Sequence, residues 1–463
     1  NNRDGTFTDR TEDLLAAQSH NGMGNDVADI NNDGLPEIVV CDMLPRDNRR
    51  RKLMAMNVSY DLFEITQRMG YSPQYPRNTL QLHNGFDSNG SLLPFSEIGQ
   101  LARIHDTDWS WSSLLADLDN DGHKDLFITN GHLKDLTDLD FIVYRQQRTR
   151  FTTQRQSDSL YLALLEKMPG VEVPNRFFRN SGALVFEDVT AEWFSLDNSF
   201  SNGAVYEDLD NDGDLDLVVN RVNQEAQLLE NKASDQGAKG LVIYLNGTGG
   251  NIRGRGAKLY LFSSEGMQYH EQSNERGYMS SLSGRVHFGV AEGAKLDSLV
   301  VIWPDQRKEV ITSLTAGDIV TIDHRSAMSS SPFDVTSRSD PIFKLDTSLG
   351  LRHQEIPFPD HKYMPLIPRS YSSLGPSLSV GDVDGDGLED LVMGAGLGYK
   401  TQLAIQQADG SFEIRTIDSS QVFEDAGLLL FDVDGDNDLD LYAGSGSSET
   451  GADNTDSLYL NNG

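Results

Sequence analysis

The chain of 463 residues has the composition of a folded protein, with 38% hydrophobic residues and 42 glycines, which excludes wholesale disorder. Its 71 acidic residues against 38 basic residues give a formal net charge of -33. This charge argues against binding to nucleic acids or to anionic lipids. Cys41 is the single cysteine, which excludes a disulfide framework and a cysteine-based zinc site. No apolar run is long enough to span a membrane.

A nine-residue acidic pattern, Asp-x-(Asp/Asn)-x-Asp-(Gly/Asn)-x-x-(Asp/Glu), recurs along the chain. Its five copies occupy residues 29–37, 117–125, 208–216, 382–390 and 432–440. A mostly apolar run follows each copy and predicts a buried strand that leaves an acidic loop. Weaker strand–turn–aromatic strand elements lie between the copies. The spacing of about 50 residues between the last two copies suits one blade of a β-propeller.

Other segments interrupt these repeats. Within the first group of blades, residues 1–236, two segments at about 46–72 and 134–170 have helical composition and predict helical insertions on a propeller face. Alternating apolar strands over 239–324 predict a small inserted all-β domain. The Ser/Asp-rich stretch 325–340 predicts a linker, and residues 341–463 predict the start of a second propeller. The fold class is therefore predicted to be all-β. Because both ends lie in mid-repeat and no initiator Met is present, we expect a longer parent protein.

The acidic loops have the composition of sites for a hard cation. Ca²⁺ takes about six to eight oxygen ligands in flexible geometry, and carboxylates or amides at positions 1, 3, 5 and 9 of a tight turn can converge on one point. Position 6 is Gly or Asn, which tolerate positive φ. We predict up to five Ca²⁺ sites, with side-chain ligands at positions 1, 3, 5 and 9 and a backbone carbonyl at position 7. The predicted side-chain ligands are Asp29, Asn31, Asp33 and Glu37; Asp117, Asp119, Asp121 and Asp125; Asp208, Asp210, Asp212 and Asp216; Asp382, Asp384, Asp386 and Asp390; and Asp432, Asp434, Asp436 and Asp440. The predicted carbonyl ligands are those of Leu35, His123, Asp214, Leu388 and Asp438.

Two other structures could account for the acidic loops, an EF-hand and an acidic turn without a cation. An EF-hand needs Glu at position 12 and flanking helices, whereas position 12 here is an apolar residue inside the following strand. The second alternative is an acidic turn that binds no cation, in which the Asp side chains only accept hydrogen bonds from backbone N–H groups. The five repetitions, with 22 acidic residues in the loops, favour bound cations. We expect the first loop to bind most weakly, because Asn31 replaces an acid there.

The repeats resemble the FG-GAP/VCBS repeats of integrin-α-like β-propellers, whose Asp-rich loops bind Ca²⁺. The inserted domain resembles the ASPIC/UnbV domain, also found in cartilage acidic protein. The matching residues are 253–258, 276–280, 287–289 and 300–305. Residues 375–382 resemble the start of a second propeller in large Bacteroidota proteins of this architecture. The resemblance implies export to the cell surface or outer membrane, often as a lipoprotein with its lipid anchor upstream, encoded near SusC/SusD-type nutrient uptake systems.

Sequence evidence for catalysis is thin. The chain lacks the motifs of nucleotide-binding loops, serine hydrolases and zinc proteases. Trp109 and Trp111 would share one strand face, either as a platform for sugar rings or, as we favour, as packing between blades. The favoured hypothesis is a non-catalytic, calcium-stabilised scaffold that binds a glycan or a protein partner such as an outer-membrane uptake transporter. The alternative is a calcium-dependent polysaccharide lyase or other glycan-active enzyme. It would need an unpaired Lys, Arg, Tyr or His beside a calcium, and the sequence does not reveal such a cluster.

Overall fold

Strands predominate throughout the computed structural model of the chain. It describes residues 2, 4–54, 60–149, 161–163, 165–166, 168–194, 197–329, 343, 349–364, 366–367, 370–372, 375–417, 424–446 and 455–462. The chain divides into two compact units, Asn1–Ser339 and Asp340–Gly463. The predicted all-β, repeat-rich fold is confirmed, while closure of the sheets into a propeller stays a prediction.

In the first unit, each acidic loop connects two consecutive, neighbouring strands of an antiparallel sheet. These sheets have the strand orders β2-β3-β6-β7, β12-β11-β9-β8-β4 and β14-β15-β16, and two short pairs, β1-β5 and β10-β13, accompany them. The strands are β1 (Gln18–Ser19), β2 (Asn25–Ala28), β3 (Glu37–Val40), β4 (Met43–Leu44), β5 (Gln74–Tyr75), β6 (Thr79–Leu82), β7 (Ser96–Glu97), β8 (Asp108–Ala116), β9 (Asp125–Asn130), β10 (Val173–Pro174), β11 (Arg176–Arg179), β12 (Glu187–Asp188), β13 (Asn198–Ser199), β14 (Ser201–Glu207), β15 (Asp216–Arg221) and β16 (Gln227–Leu229).

The strands that precede the acidic loops of consecutive sheets lie next to one another, β2 beside β8 and β8 beside β14. The strands after the loops are apolar because both of their faces are covered. Val39, Leu126 and Ile128, for example, are fully buried in one core between the first two sheets. A second core, which includes Phe127 and Val219, lies between the second and third sheets. Burial of the strand on both sides explains why each loop is followed by an uninterrupted apolar run.

Helices occur in both segments that were predicted to be helical. The α-helices include Thr11–Leu14, Asn48–Leu53, Tyr60–Arg68, Leu139–Thr149, Thr190–Trp193 and Asp360–Tyr363. Those in the two predicted segments follow the second strand of their sheet, so they lie at the end of the sheet opposite to its acidic loop. Residues 55–59, 150–160, 164 and 167 of these segments lie outside the described residues. Within the described chain, no helix is long and apolar enough to cross a membrane.

The inserted domain packs two sheets face to face. The sheets have the orders β22-β17-β25 and β19-β18-β23-β24-β26, with a small hairpin β20-β21. Their inner faces enclose Leu241, Leu261, Phe288 and Trp303, all almost fully buried. The strands are β17 (Lys239–Asn246), β18 (Lys258–Ser263), β19 (Gly266–Glu271), β20 (Glu275–Arg276), β21 (Ser280–Ser281), β22 (Val286–Val290), β23 (Leu296–Ile302), β24 (Arg307–Ile311), β25 (Ile319–Asp323) and β26 (Met328–Ser329).

The second unit repeats the arrangement of strand, acidic loop and strand. Its sheets have the orders β27-β28-β29-β30 and β31-β32-β33, and β27 lies beside β31. The strands are β27 (Leu378–Gly381), β28 (Asp390–Met393), β29 (Gln402–Gln406), β30 (Phe412–Thr416), β31 (Asp425–Phe431), β32 (Asp440–Ser445) and β33 (Ser457–Tyr459). Residues 330–340, most of the predicted linker, lie outside the described residues.

Candidate metal centres

All five acidic loops share one backbone conformation, with positive φ at positions 4 and 6. The residues at position 6 are Gly34, Gly122, Gly213, Gly387 and Asn437, and those at position 4 are Asn32, Asn120, Asn211, Gly385 and Gly435. The requirement at position 6 was predicted, whereas that at position 4 was missed. Its signal was present in the sequence, since Asn and Gly are the residues that adopt this conformation most readily.

Local hydrogen bonds hold this conformation, as the second loop illustrates. Asp117 accepts the backbone N–H of Asp121 at 3.1 Å with one oxygen and that of Gly122 at 2.9 Å with the other. Asp119 accepts from Asp121 at 3.3 Å, and Asp121 accepts from His123 at 2.8 Å. These are the contacts expected of an acidic turn. They leave further lone pairs on each carboxylate, because each oxygen can accept more than one bond.

The acid at position 9 fastens each loop to its own sheet. In the second loop, Asp125 accepts the N–H of Leu118 at 2.9 Å and that of Asn180, just after β11, at 2.9 Å. The other four loops repeat both contacts through Glu37, Asp216, Asp390 and Asp440. The repeated acid at position 9 therefore has a structural role in addition to any role as a ligand.

Neighbouring loops also contact one another in the first unit. The position-4 side chain of the first loop, Asn32, donates to the carbonyl of Gly122 in the second loop at 3.0 Å. In the same way Asn120 of the second loop donates to Gly213 of the third at 3.1 Å. Position 4 therefore has a second function, because its amide couples the conformation of one loop to the next.

Four of the five loops bring three carboxylates together. In each group, one oxygen from every residue lies within 4.8 Å of the others, as a shared cation requires. The groups are Asp117, Asp119 and Asp125; Asp208, Asp210 and Asp212; Asp382, Asp384 and Asp390; and Asp432, Asp434 and Asp440. The first loop forms no such group among the described residues. In the third loop, Asp212 takes the place that the acid at position 9 has in the other three groups.

At position 7 of two loops, a side-chain carboxylate oxygen is available as a cation ligand. This ligand was not predicted from the sequence. One oxygen of Asp214 and one of Asp438 are buried and have no hydrogen-bond partner among the described residues. Burial and the neighbouring Asp212 raise the pKa of Asp214 to about 6. Only the carbonyl of these residues was predicted to be a ligand. The chemistry of the loops, with oxygen donors alone, fits a hard divalent cation.

The first two loops contain carboxylates whose ionisation is strongly opposed by burial. Burial raises the pKa of Glu37 to about 8, and the neighbouring Asp29 and Asp33 add to this shift. Burial likewise raises the pKa of Asp117 to about 7, against the opposing effect of Lys124. The folded protein without cations therefore binds protons that the unfolded chain has already released near pH 4.

These two shifts predict how stability depends on pH when cations are removed. Since folded-state pKa values above the unfolded values favour folding at low pH, the free energy of unfolding should fall as pH rises towards 8. Buried His270 and His287 have lowered pKa values and act in the opposite direction, but only below about pH 6.5. We therefore expect urea unfolding in chelator to show decreasing stability between about pH 6.5 and 8.

Excess Ca²⁺ should abolish this decrease, because a bound cation favours the ionised carboxylates. Glu37→Gln, which resembles the protonated acid, should weaken the decrease in chelator. Stability in chelator that rises over this pH range would contradict the assignment.

The inserted domain is packed directly on the second and third loops. Arg285 donates to the carbonyl of Asp208 at 2.9 Å, and a ring nitrogen of His287 lies 3.2 Å from the carbonyl of Gly213. At Gly289, a side chain would place its Cβ only 2.0 Å from a carboxylate oxygen of Asp117. The stretch 287–289 therefore includes contacts with the loops. The sequence alone could not predict that residues 287–289 contact the acidic loops.

A hairpin of the inserted domain, β20-β21, reaches β2 and β8, the strands that precede the first two acidic loops. Arg276 forms a buried ion pair with Asp26 on β2, with 2.9 Å between Nη1 and Oδ1, and donates to the carbonyl of Val27 at 2.6 Å. At Gly277, where φ is +63°, an added Cβ would lie 2.1 Å from the hydroxyl of Ser112 on β8. The close approach requires glycine, and it fixes the inserted domain to the blades.

A cavity of about 280 Å³ lies between the blade sheets and the inserted domain. We call it the Lys124 cavity; its lining includes Lys124, Tyr206, His270, Arg276 and His287. The same cavity is lined by Asp29 and Asp117, the first residues of two acidic loops. A glycan-active enzyme was expected to need an unpaired Lys, Arg, Tyr or His beside a calcium. The cavity brings such side chains together beside two acidic loops, which the sequence did not reveal. These side chains come from β14, the end of the second loop and the inserted domain.

Trp109 and Trp111 lie in one aromatic stack at the start of β8. Their ring centroids are 6.5 Å apart, and His132 stacks 4.2 Å from Trp109. Trp109 is buried, and the half-buried Trp111 contacts Tyr278 of the inserted domain at 5.0 Å between centroids. These contacts describe packing, and they leave little ring surface for a sugar to stack on.

Comparison with known proteins places two family matches on this structure. Residues 247–329 match the family model described as ASPIC and UnbV. Residues 1–40 and 382–443 match the model described as FG-GAP-like repeat. No curated protein matches the chain. The chain thus carries FG-GAP-like repeats in both units and an ASPIC and UnbV domain in the first.

Proposed function

We propose that this chain, with its FG-GAP-like repeats and its ASPIC and UnbV domain, is a calcium-stabilised, non-catalytic β-propeller scaffold that binds a protein partner or a glycan at the cell surface. The observation that carries this proposal is that a group of three carboxylates recurs in the acidic loops of four sheets. Loops rich in carboxylate oxygens suit Ca²⁺, which accepts a flexible coordination geometry, better than Mg²⁺, which demands near-ideal octahedral geometry.

The bound cations would act on the scaffold in two ways. They would neutralise carboxylates that lie close together, and they would keep the loops in the conformation on which the inserted domain packs. Because Arg285 and His287 contact loop carbonyls, loss of the cations should loosen the inserted domain as well as the loops. Calcium would therefore control the surface that the scaffold presents.

The helical insertions are the surface that we assign to a protein partner. Leu62 and Ile65 on one helix are 42% and 47% exposed, and Leu139 and Val143 on another are both 42% exposed. In each pair the residues are three or four positions apart, so they share one helix face. Apolar residues grouped in this way on a surface are typical of sites for another protein.

Affinity purification tests the partner that this surface would bind. We would tag the parent protein in its native cell, solubilise the envelope gently in millimolar calcium and identify what co-purifies. A stoichiometric uptake transporter is the expected result. Ile65→Asp and Val143→Asp should remove it without changing the melting temperature, whereas Leu101→Asp, a control at another exposed apolar residue, should retain it. Retention of the partner by both helix variants would contradict the assignment.

The Lys124 cavity favours a second candidate function, that of a calcium-dependent polysaccharide lyase or other glycan-active enzyme. General acid–base chemistry needs ionisable groups at the place where substrate binds. Lys124, Tyr206 and His270 line the cavity together. An unsaturated, ultraviolet-absorbing product from a uronate polymer would establish this activity. The absence of product from a panel of such polymers would favour the scaffold.

A further inference from the structure

A buried lysine, Lys124, lines the Lys124 cavity. Lys124 is only 6% exposed, and its ammonium group makes no hydrogen bond or ion pair with any residue in the described part of the chain. Its Nζ lies over the ring of Phe288, 5.8 Å from the ring centroid, a cation–π contact that is weaker than an ion pair. Burying a charge without a compensating partner is unfavourable, so an additional group in the cavity would be stabilising.

Carboxylates near Lys124 do not compensate its charge once cations are bound. Asp117, Asp29 and Asp125 act on the ammonium electrostatically, but all three belong to the acidic loops. If those loops hold cations, as proposed above, their negative charge is already balanced. The inference therefore rests on the proposed function, and it predicts that Lys124 attracts an anion most strongly when calcium is bound.

Two other groups in the lining, Arg276 and Tyr206, have a donor without a described partner. Arg276 uses Nη1 for Asp26, but its Nε is buried and has no partner among the described residues. The hydroxyl of Tyr206 likewise has no described hydrogen-bond partner.

Two further acids in the lining, Glu271 and Glu275, already have partners. Glu271 accepts from the hydroxyl of Tyr269 at 2.9 Å, and Glu275 pairs with Arg255 at 3.1 Å. The free groups that face the cavity thus call for an acceptor, and a carboxylate is the acceptor that suits ammonium and guanidinium groups best.

We propose that the Lys124 cavity binds a small hydroxy-carboxylate, of which a uronic acid is an example. Its carboxylate would lie between Lys124 and Nε of Arg276, and one of its hydroxyls would accept from Tyr206. The cavity volume of about 280 Å³ is near the lower end of the range of about 300–1,000 Å³ for small-molecule pockets. It therefore suits a ligand the size of one sugar ring.

Calorimetric titration of the full chain in calcium tests this site. The probes are glucuronate and galacturonate, with glucose and galactose as neutral controls of the same size. We expect the uronates to bind at least about tenfold more tightly than the neutral sugars, because only they carry the acceptor for Lys124. Lys124→Met should weaken uronate binding by about tenfold or more, and Tyr206→Phe by a smaller factor. Lys295→Met, at an exposed lysine of the inserted domain, should bind as the parent does.

The possible results separate this inference from the proposed function. If the chain binds calcium but no uronate, or binds glucose equally well, the cavity holds only water and the inference is wrong. Unchanged uronate binding by Lys124→Met, with calcium stoichiometry and melting temperature like those of the parent, would also overturn it. If that variant fails to fold, Tyr206→Phe decides in the same way. If the chain binds no calcium, the proposed function fails, and weaker uronate binding in chelator would no longer be expected.

Discussion

Removal of divalent cations should lower the melting temperature by at least about 5 °C. A site at 20 times its dissociation constant contributes roughly 2 kcal/mol, and four loops hold grouped carboxylates. Loss of the cations also leaves like charges in close contact, as between Asp212 and Asp214. Thermal unfolding in chelator, in excess Ca²⁺ and in excess Mg²⁺ checks this, with the largest stabilisation expected from Ca²⁺. An unchanged melting curve in excess chelator would contradict the calcium assignment.

An exchange of residues at position 3 provides the matched control. The first loop has Asn31 where the second has Asp119, and both accept the N–H of position 5 at 3.3 Å. Asp119→Asn thus retains this acceptor while removing one charge, and it should weaken calcium binding by the second loop by about tenfold. Asn31→Asp should strengthen the first loop in calcium yet destabilise the protein in chelator. Equal calcium stoichiometry and affinity in both variants and the parent would argue that the loops are only acidic turns.

Arg276→Met should destabilise the first unit by about 3–5 kcal/mol. Arg276 is 7% exposed and Asp26 is 2% exposed, and removing one partner of a buried ion pair leaves the other charge uncompensated. Asp26 would keep its contact with the N–H of Leu115 at 2.7 Å, which does not replace the lost guanidinium. Chemical denaturation of the full chain in calcium measures the change.

The double variant Asp26→Asn/Arg276→Met should recover part of this loss, because it removes the uncompensated charge. Arg255→Met tests an exposed ion pair of the same hairpin, with Glu275 at 3.1 Å, and it should have little effect. If Arg276→Met were no more harmful than Arg255→Met, the hairpin would not anchor the inserted domain. Gly277→Ala should resemble Arg276→Met, since its Cβ would clash with Ser112.

The contacts at Arg276 give the inserted domain a role that its place in the sequence does not suggest. It follows the third acidic loop in the chain, yet its hairpin contacts the strands before the first two acidic loops and its body covers two acidic loops. Calcium binding and docking of this domain should therefore be coupled, because Asp117 and Gly289 approach each other too closely for any larger residue. The Lys124 cavity lies at this junction, where both events would influence it.

The sequence by itself determined the local structure of the acidic loops. The hydrogen bonds inside each loop join residues at most seven positions apart, as between Asp117 and Asp121 or Asp125 and Leu118, so a nine-residue pattern contains the information for the loop conformation. The apolar run after each loop similarly predicts a buried strand without reference to the rest of the chain. The preference at position 4 was equally visible in the sequence, although only position 6 was interpreted.

Only the tertiary structure decided what surrounds those loops. Arg276 and Asp26 are separated by 250 positions in the chain, and neither residue carries a local signal that identifies the other. The same is true of Lys124, Tyr206 and His270, which were unremarkable in their own segments. Packing of the inserted domain on the acidic-loop sheets brings these residues together. That packing depends on contacts between distant parts of the chain, so no single segment specifies it. Local patterns therefore predicted the acidic loops, whereas the cavity beside them depends on long-range contacts.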